Sequence, residues 1–77
     1  MRLSRREAEL LGLLVAAKGK VVDYRRIMDE LWRDDPNSDL KRVRVLVWQV
    51  RRKIEPDIQS PRYLIAEHGQ GYRLVLG

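Results

Sequence analysis

The most constraining pattern in the chain lies between Asp39 and Pro56. Val43, Leu46, Val47, Val50 and Ile54 stand at i, i+3, i+4, i+7 and i+11, the repeat of one helical face. Pro56 disfavours a helical conformation at Glu55, and Ser38 or Asp39 suits the N-cap. The spacing therefore predicts a helix over about 39–54 with one apolar stripe. That stripe has to be buried against the rest of a 77-residue chain. Such a length allows one small domain with a shared core and disfavours a deep catalytic cleft.

The rest of this helix is unusual. Lys41, Arg44, Val45, Trp48, Gln49, Arg51 and Arg52 occupy its opposite and flanking surface. The run Lys41 to Lys53 holds six of the 16 Lys+Arg residues and none of the 11 Asp+Glu residues. Outside it, ten basic residues face eleven acidic ones, so the net charge of +5 resides entirely in this segment. A localised basic stripe is what a polyanion-binding surface requires. A solvated helix face is the plainer alternative, but it would not place Val45 and Trp48 among arginines.

The remaining segments supply the packing partners. Ser4-Arg5-Arg6-Glu7 is a capping-box pattern, which gives Glu7 a structural role. Leu10, Leu11, Leu14 and Val15 follow at helical spacing, and Lys18-Gly19 suits a helix end, so a helix is predicted over about 5–18. Lys20-Val21-Val22 predicts a short strand. Asp23 caps a second helix over about 24–33, with Ile27, Met28, Leu31 and Trp32 as its apolar stripe. Asp34 to Ser38 breaks it, with Asp34-Asp35 read as a solvated loop. Tyr63 to Leu76 reads as two strands around a turn in which Gly69 and Gly71 supply positive φ. A lone strand pair is marginal in water and must pack on the helices. The fold class predicted for the single domain 1–77 is α+β, a winged helix-turn-helix with three helices, a short strand and a C-terminal hairpin wing over about 63–76.

Composition removes other classes. With no cysteine and one histidine, disulfide scaffolds, thiolate zinc sites and histidine-rich metal sites are excluded, and no cofactor is implied. No Ser/His/Asp set, carboxylate pair or phosphate loop is evident, so an enzyme is the least expected class. No apolar run approaches a membrane span, and the first residues lack a signal-peptide pattern.

The ordered set of motifs resembles the winged-helix effector domain of OmpR/PhoB-type response regulators, bacterial transcription factors of two-component systems. Leu3-Ser4-Arg5-Arg6-Glu7 with Leu10-Leu11 is similar to the opening helix of that family. Gly19-Lys20-Val21-Val22 is similar to its G-x-V-V turn, and Leu31-Trp32 to the end of its second helix. Arg51-Arg52-Lys53-Ile54 resembles the close of its recognition helix. Pro61-Arg62-Tyr63-Leu64 and Gly69-Gln70-Gly71-Tyr72-Arg73-Leu74 resemble its wing. Three departures stand out. Arg44-Val45-Leu46 replaces the common D-V-H, His68 replaces an Arg before the first wing glycine, and Glu67 occupies a usually apolar position. No residue here corresponds to the family's receiver domain or N-terminal sheet.

The resemblance implies sequence-specific binding to double-stranded DNA in the bacterial cytoplasm, at the nucleoid. It implies RNA polymerase as a further partner and two copies on tandem half-sites, with no membrane contact. It places Arg44, Val45 and Gln49 where the family reads base edges. Their chemistry fits: Arg pairs with guanine, Gln with adenine, and Val meets the thymine methyl. Lys41, Arg42, Arg51 and Arg52 are expected at phosphates, which fix register without reading sequence. Gln70 and Arg73 are expected at phosphates near the wing. Trp48 is assigned to the DNA backbone, with partial burial against the hairpin as the alternative. Trp32 is read as a helix-end anchor. His68 is placed at the minor groove, where a neutral imidazole is a weaker probe than Arg; an ordinary turn histidine is the alternative. The alternative function is a winged-helix protein-interaction module, with Val45 and Trp48 as its contact residues. An RNA-binding module ranks lower, because stacking aromatics on a sheet are missing.

Overall fold

The computed structural model describes residues 2–35 and 39–75. Its elements run α1 (Arg5–Ala16), β1 (Val22–Asp23), α2 (Tyr24–Leu31), α3 (Leu40–Ile54), β2 (Leu64–Glu67) and β3 (Gly71–Leu74). This is the winged helix-turn-helix order. The three strands form one antiparallel sheet in the order β1-β3-β2. The short strand is thus not isolated: it pairs along the free edge of the hairpin, Val22 opposite Tyr72 and Asp23 opposite Gly71.

Each helix starts where a short polar side chain meets its first turn. Ser4 Oγ accepts from the Glu7 N–H, and Glu7 Oε1 accepts from the Ser4 N–H at 2.6 Å, completing the capping box. Asp23 and Asp39 accept from the N–H groups of Arg26 and Arg42. Asp39, rather than Ser38, is therefore the α3 cap; Ser38 lies outside the described residues. Helix α1 stops two residues before the predicted end, because Lys18 and Gly19 both turn left-handed at φ 53° and 87°. Helix α2 ends at Leu31, since Trp32 leaves helical geometry at φ −130°, ψ 46°.

The core takes one face from every helix. Leu10, Leu14, Ile27, Leu31, Val43, Leu46, Val47 and Val50 are buried, together with Val22, Leu64, Tyr72 and Leu74 from the sheet. Ile54 packs at the margin. Each fully buried aliphatic side chain contributes roughly 1.5–3 kcal/mol of burial energy. Val15, placed by spacing on the α1 stripe, is instead 47% exposed. Leu10 and Leu14, one turn apart, carry that contact. The hairpin register puts Leu64, Ala66, Tyr72 and Leu74 on one face and Ile65, Glu67 and Arg73 on the other. Tyr72 also meets the Tyr24 ring edge-on, with centroids 5.6 Å apart.

Two buried carboxylates tie the C-terminal end of α3 to the other elements. Glu7 accepts from Lys53 Nζ at 2.6 Å, and the same ammonium donates to the Arg2 carbonyl. Glu55, just past the end of α3, accepts from the N–H groups of Arg62, Tyr63 and Leu64. Lys53, followed by the Ser4 N–H, holds the Glu7 carboxyl below its ordinary pKa. Burial pushes Glu55 up, but the three backbone donors and Arg51 outweigh it and leave it lowered as well. Both groups therefore contribute stability that is complete above their unfolded value of about 4.3 and lost as pH falls through the lower folded value. A Glu7→Gln/Glu55→Gln variant should be less stable at neutral pH and lose less on acidification, as read by thermal melts across pH. An acid response equal to that of the parent would contradict this linkage.

Candidate nucleic-acid interface

The outward surface of α3 follows from helical geometry. At about 100° per residue, Gln49, Val45, Arg52, Lys41, Trp48 and Arg44 fall within a roughly 140° arc opposite the core stripe. All six are exposed. Val45 and Trp48 are 48% and 49% exposed, large apolar side chains left in solvent. Arg52 lies over the Trp48 ring, its guanidinium carbon 4.9 Å from the centroid. Such stacking holds a cation in place. Trp48 is thus half-exposed on the outward face of α3. Among the described residues, the ion pairs involve none of Lys41, Arg44 and Arg52.

The other three basic residues of the run sit on the flanks of the helix, and each has a partner in the protein. Lys53 holds Glu7. Arg42 pairs with Asp35 in the turn before α3, and its guanidinium lies 5.9 Å from the Trp32 ring centroid. Asp35 is therefore an ion-pair partner and not merely solvated. Arg51 departs furthest from expectation. Its Nε and Nη2 both donate to the Leu64 carbonyl, at 3.1 and 2.9 Å, and its guanidinium lies 5.9 Å from the Tyr72 ring centroid. Its fork is committed to the hairpin, so the structure presents it as a strut between α3 and β2 where the sequence suggested a phosphate contact.

Arg6 is the contributor that sequence reasoning missed. Its guanidinium lies 5.6 Å from the Trp32 ring centroid, so the indole has one arginine from α1 and one from α3 against it. Trp32 is partly buried against the core, as a helix-end anchor should be. A groove of about 480 Å³ runs beside it, lined by Arg6, Trp32, Lys41, Arg42, Val45 and Gln49. The capping-box pattern puts Arg6 on the first turn of α1, but no local signal pairs it with Trp32.

The wing turn carries His68, Gly69 and Gln70, all exposed. The Gln70 N–H donates to the Glu67 carbonyl, and the Gln70 carbonyl accepts from the Tyr24 N–H. Arg73 Nε donates to Glu67 Oε1 at 2.7 Å. These two lie on the same face of the hairpin, diagonally across the strands. The acid at the usually apolar position therefore has a local use: it orients Arg73 and neutralises part of its charge. Burial and the neighbouring Tyr24 raise the Tyr72 hydroxyl pKa, opposed by Arg51 and Arg44.

Residues 1–74 match the family described as transcriptional regulatory protein, C terminal. The chain belongs to that family. It is 34% identical over 99% of its length to the DNA-binding dual master transcriptional regulator RpaA of Synechocystis, covering 32% of that protein. It is 33% identical over 91% of its length to the KDP operon transcriptional regulatory protein KdpE of Escherichia coli, covering 31% of that protein. The chain thus spans about a third of the length of these relatives. Response regulator DrrB of Thermotoga maritima, an OmpR/PhoB homolog, superposes with a TM-score of 0.87 at 32% identity, over 95% of this chain and 33% of that one. The Klebsiella pneumoniae RstA DNA-binding domain, solved with its RstA box, superposes at 0.83 and 19% identity over 95% of this chain and 72% of that one. The winged-helix, OmpR/PhoB-type assignment holds over the matched residues 1–74. No helix among the described residues is long and apolar enough to cross a membrane.

Proposed function

We propose that this domain binds double-stranded DNA sequence-specifically as the effector part of a bacterial transcriptional regulator. The outward arc of α3 enters the major groove and the His68–Gln70 turn lies beside the minor groove. The observation that carries this reading is the arc itself: Lys41, Arg44 and Arg52, exposed and outside the ion pairs among the described residues, surround Val45, Trp48 and Gln49 on one face of the helix. Arg44, Val45 and Gln49 read base edges, and Lys41 and Arg52 meet phosphates. Arg42 and Arg73, each with a carboxylate partner, and Gln70 add backbone contacts at the two ends of the surface. The relatives' names agree with this: RpaA is a DNA-binding transcriptional regulator, and RstA was solved on its box.

A single domain covers a short half-site, so two copies on tandem half-sites complete the assembly. RNA polymerase is the further partner of a protein with this role, and the bacterial cytoplasm is its compartment. The half-exposed Val45 and Trp48 favour one rival, a protein contact in place of DNA. A gel-shift series separates the two. Arg44→Ala should relax preference at one base position at a loss of about 1–3 kcal/mol. Lys41→Ala should weaken all duplexes alike. Parent-like affinity and preference in both variants would exclude α3 as the reading surface.

A further inference from the structure

The DNA reading gives Trp48 no more than a backbone contact, and the inference drawn from this residue rests on that reading. Trp48 offers a phosphate a single donor, its indole N–H. Nearly half of a large apolar side chain nonetheless stays in solvent at the middle of a cationic face. Val45, three residues earlier, is equally exposed. Side chains at i and i+3 are neighbours about 5–6 Å apart at Cβ, while successive nucleotides of one strand rise about 3.4 Å. The two therefore suit neighbouring base steps. In the major groove, base edges present one apolar group, the C5-methyl of thymine.

We propose that Trp48 is a specificity-determining residue which, with Val45, reads C5-methyl groups on adjacent pyrimidines of the site. Arg52 stacked on the ring covers one face and stiffens the indole, so that the side chain is already ordered before contact. Lys41, Arg44 and Arg52 supply the charge that brings the two apolar side chains against the base edges. Nothing comparable is offered by Trp32, whose ring is flanked by Arg6 and Arg42 and packed on the core.

The test begins with selection from a random duplex library using the 77-residue domain. The selected site is then resynthesised with deoxyuridine for thymine, one position at a time, which removes only the methyl. At two adjacent positions each replacement should weaken binding about fourfold, the worth of one buried methyl. Cytosine at those positions should regain affinity on 5-methylation. Trp48→Ala should abolish the uracil effect at one position, and Val45→Ala at its neighbour. Both residues are exposed, and unchanged melting curves will confirm folding. A selected site indifferent to uracil throughout overturns this inference and leaves the DNA reading intact. So does a Trp48→Ala variant that keeps both uracil effects while weakening every duplex equally, the behaviour of a backbone contact. Failure to enrich any sequence overturns the DNA reading itself.

Discussion

Glu55→Ala is expected to lower the melting temperature by about 12–24 °C. The carboxylate is buried and accepts from three consecutive backbone N–H groups, with the shortest contact, 2.7 Å, from Arg62. Hydrogen bonds to a charged group are worth about 1.5–3 kcal/mol each. The N–H groups of Arg62 and Tyr63 belong to exposed residues and can turn to water, whereas that of Leu64 is buried. The net loss is therefore about 3 kcal/mol rather than the sum of three bonds. A domain of this size has roughly 4–12 kcal/mol in total. Arg51 would lose its counter-charge in the same step, loosening the link from α3 to β2. Glu55→Gln keeps one acceptor oxygen and should recover part of the loss. Circular dichroism melts of the three proteins check this, and an alanine variant as stable as the parent would show that the hairpin entry does not depend on this carboxylate.

Gly71→Ala should destabilise more than Gly69→Ala, although the two glycines look interchangeable in the sequence. Gly69 has φ +74° and open space around it, so a Cβ there meets only the left-handed backbone penalty of about 1–2 kcal/mol. Gly71 is paired with Asp23, and a Cβ would stand 2.0 Å from the Val22 carbonyl oxygen and 2.7 Å from the Asp23 Cα. Backbone atoms cannot move aside as a flexible side chain does. Strand β1 must shift away from β3, at the upper end of the overpacking range, about 3 kcal/mol. That corresponds to a loss of roughly 12–24 °C in melting temperature. Equal melting temperatures for the two variants would contradict the close approach of β1 and β3.

These two residues show where a linear reading stops. Periodicity located the core stripe of α3 because it depends only on local spacing. The caps Ser4 and Asp23 were legible for the same reason, and the α3 cap was narrowed to Ser38 or Asp39. Gly71 was correctly placed in the wing but for the wrong cause. Its constraint comes from Val22, 49 positions earlier, and no local signal reports that pairing. The charge of the 41–53 run was legible, its division was not. Lys41, Arg44 and Arg52 remain in solvent, while Arg42, Arg51 and Lys53 turn to Asp35, the Leu64 carbonyl and Glu7. A helical wheel would have put those three on the flanks, but the partners lie on other segments, Asp35 in the preceding turn, Leu64 in the hairpin and Glu7 in α1. Glu55 was hidden because a lone glutamate before a proline reads as a boundary marker, not as an acceptor for three amides. The resemblance to OmpR/PhoB effector domains supplied the overall assembly, whereas the inward turn of Arg51 came from the geometry alone.

On the proposed reading, Lys41, Arg44 and Arg52 carry the main charge contacts to DNA, Arg42 adds one at the edge, and Arg51 and Lys53 serve the fold. The direct test is the salt dependence of binding to a selected duplex. The logarithm of the binding constant should fall linearly with the logarithm of salt, by about 0.9 per phosphate neutralised. Lys41→Ala/Arg52→Ala should reduce that slope by about 1.8. Arg51→Ala should leave the slope unchanged while lowering thermal stability, because its guanidinium serves the hairpin. A slope unaltered by the double variant, or reduced by Arg51→Ala in a protein of parental stability, would contradict the account.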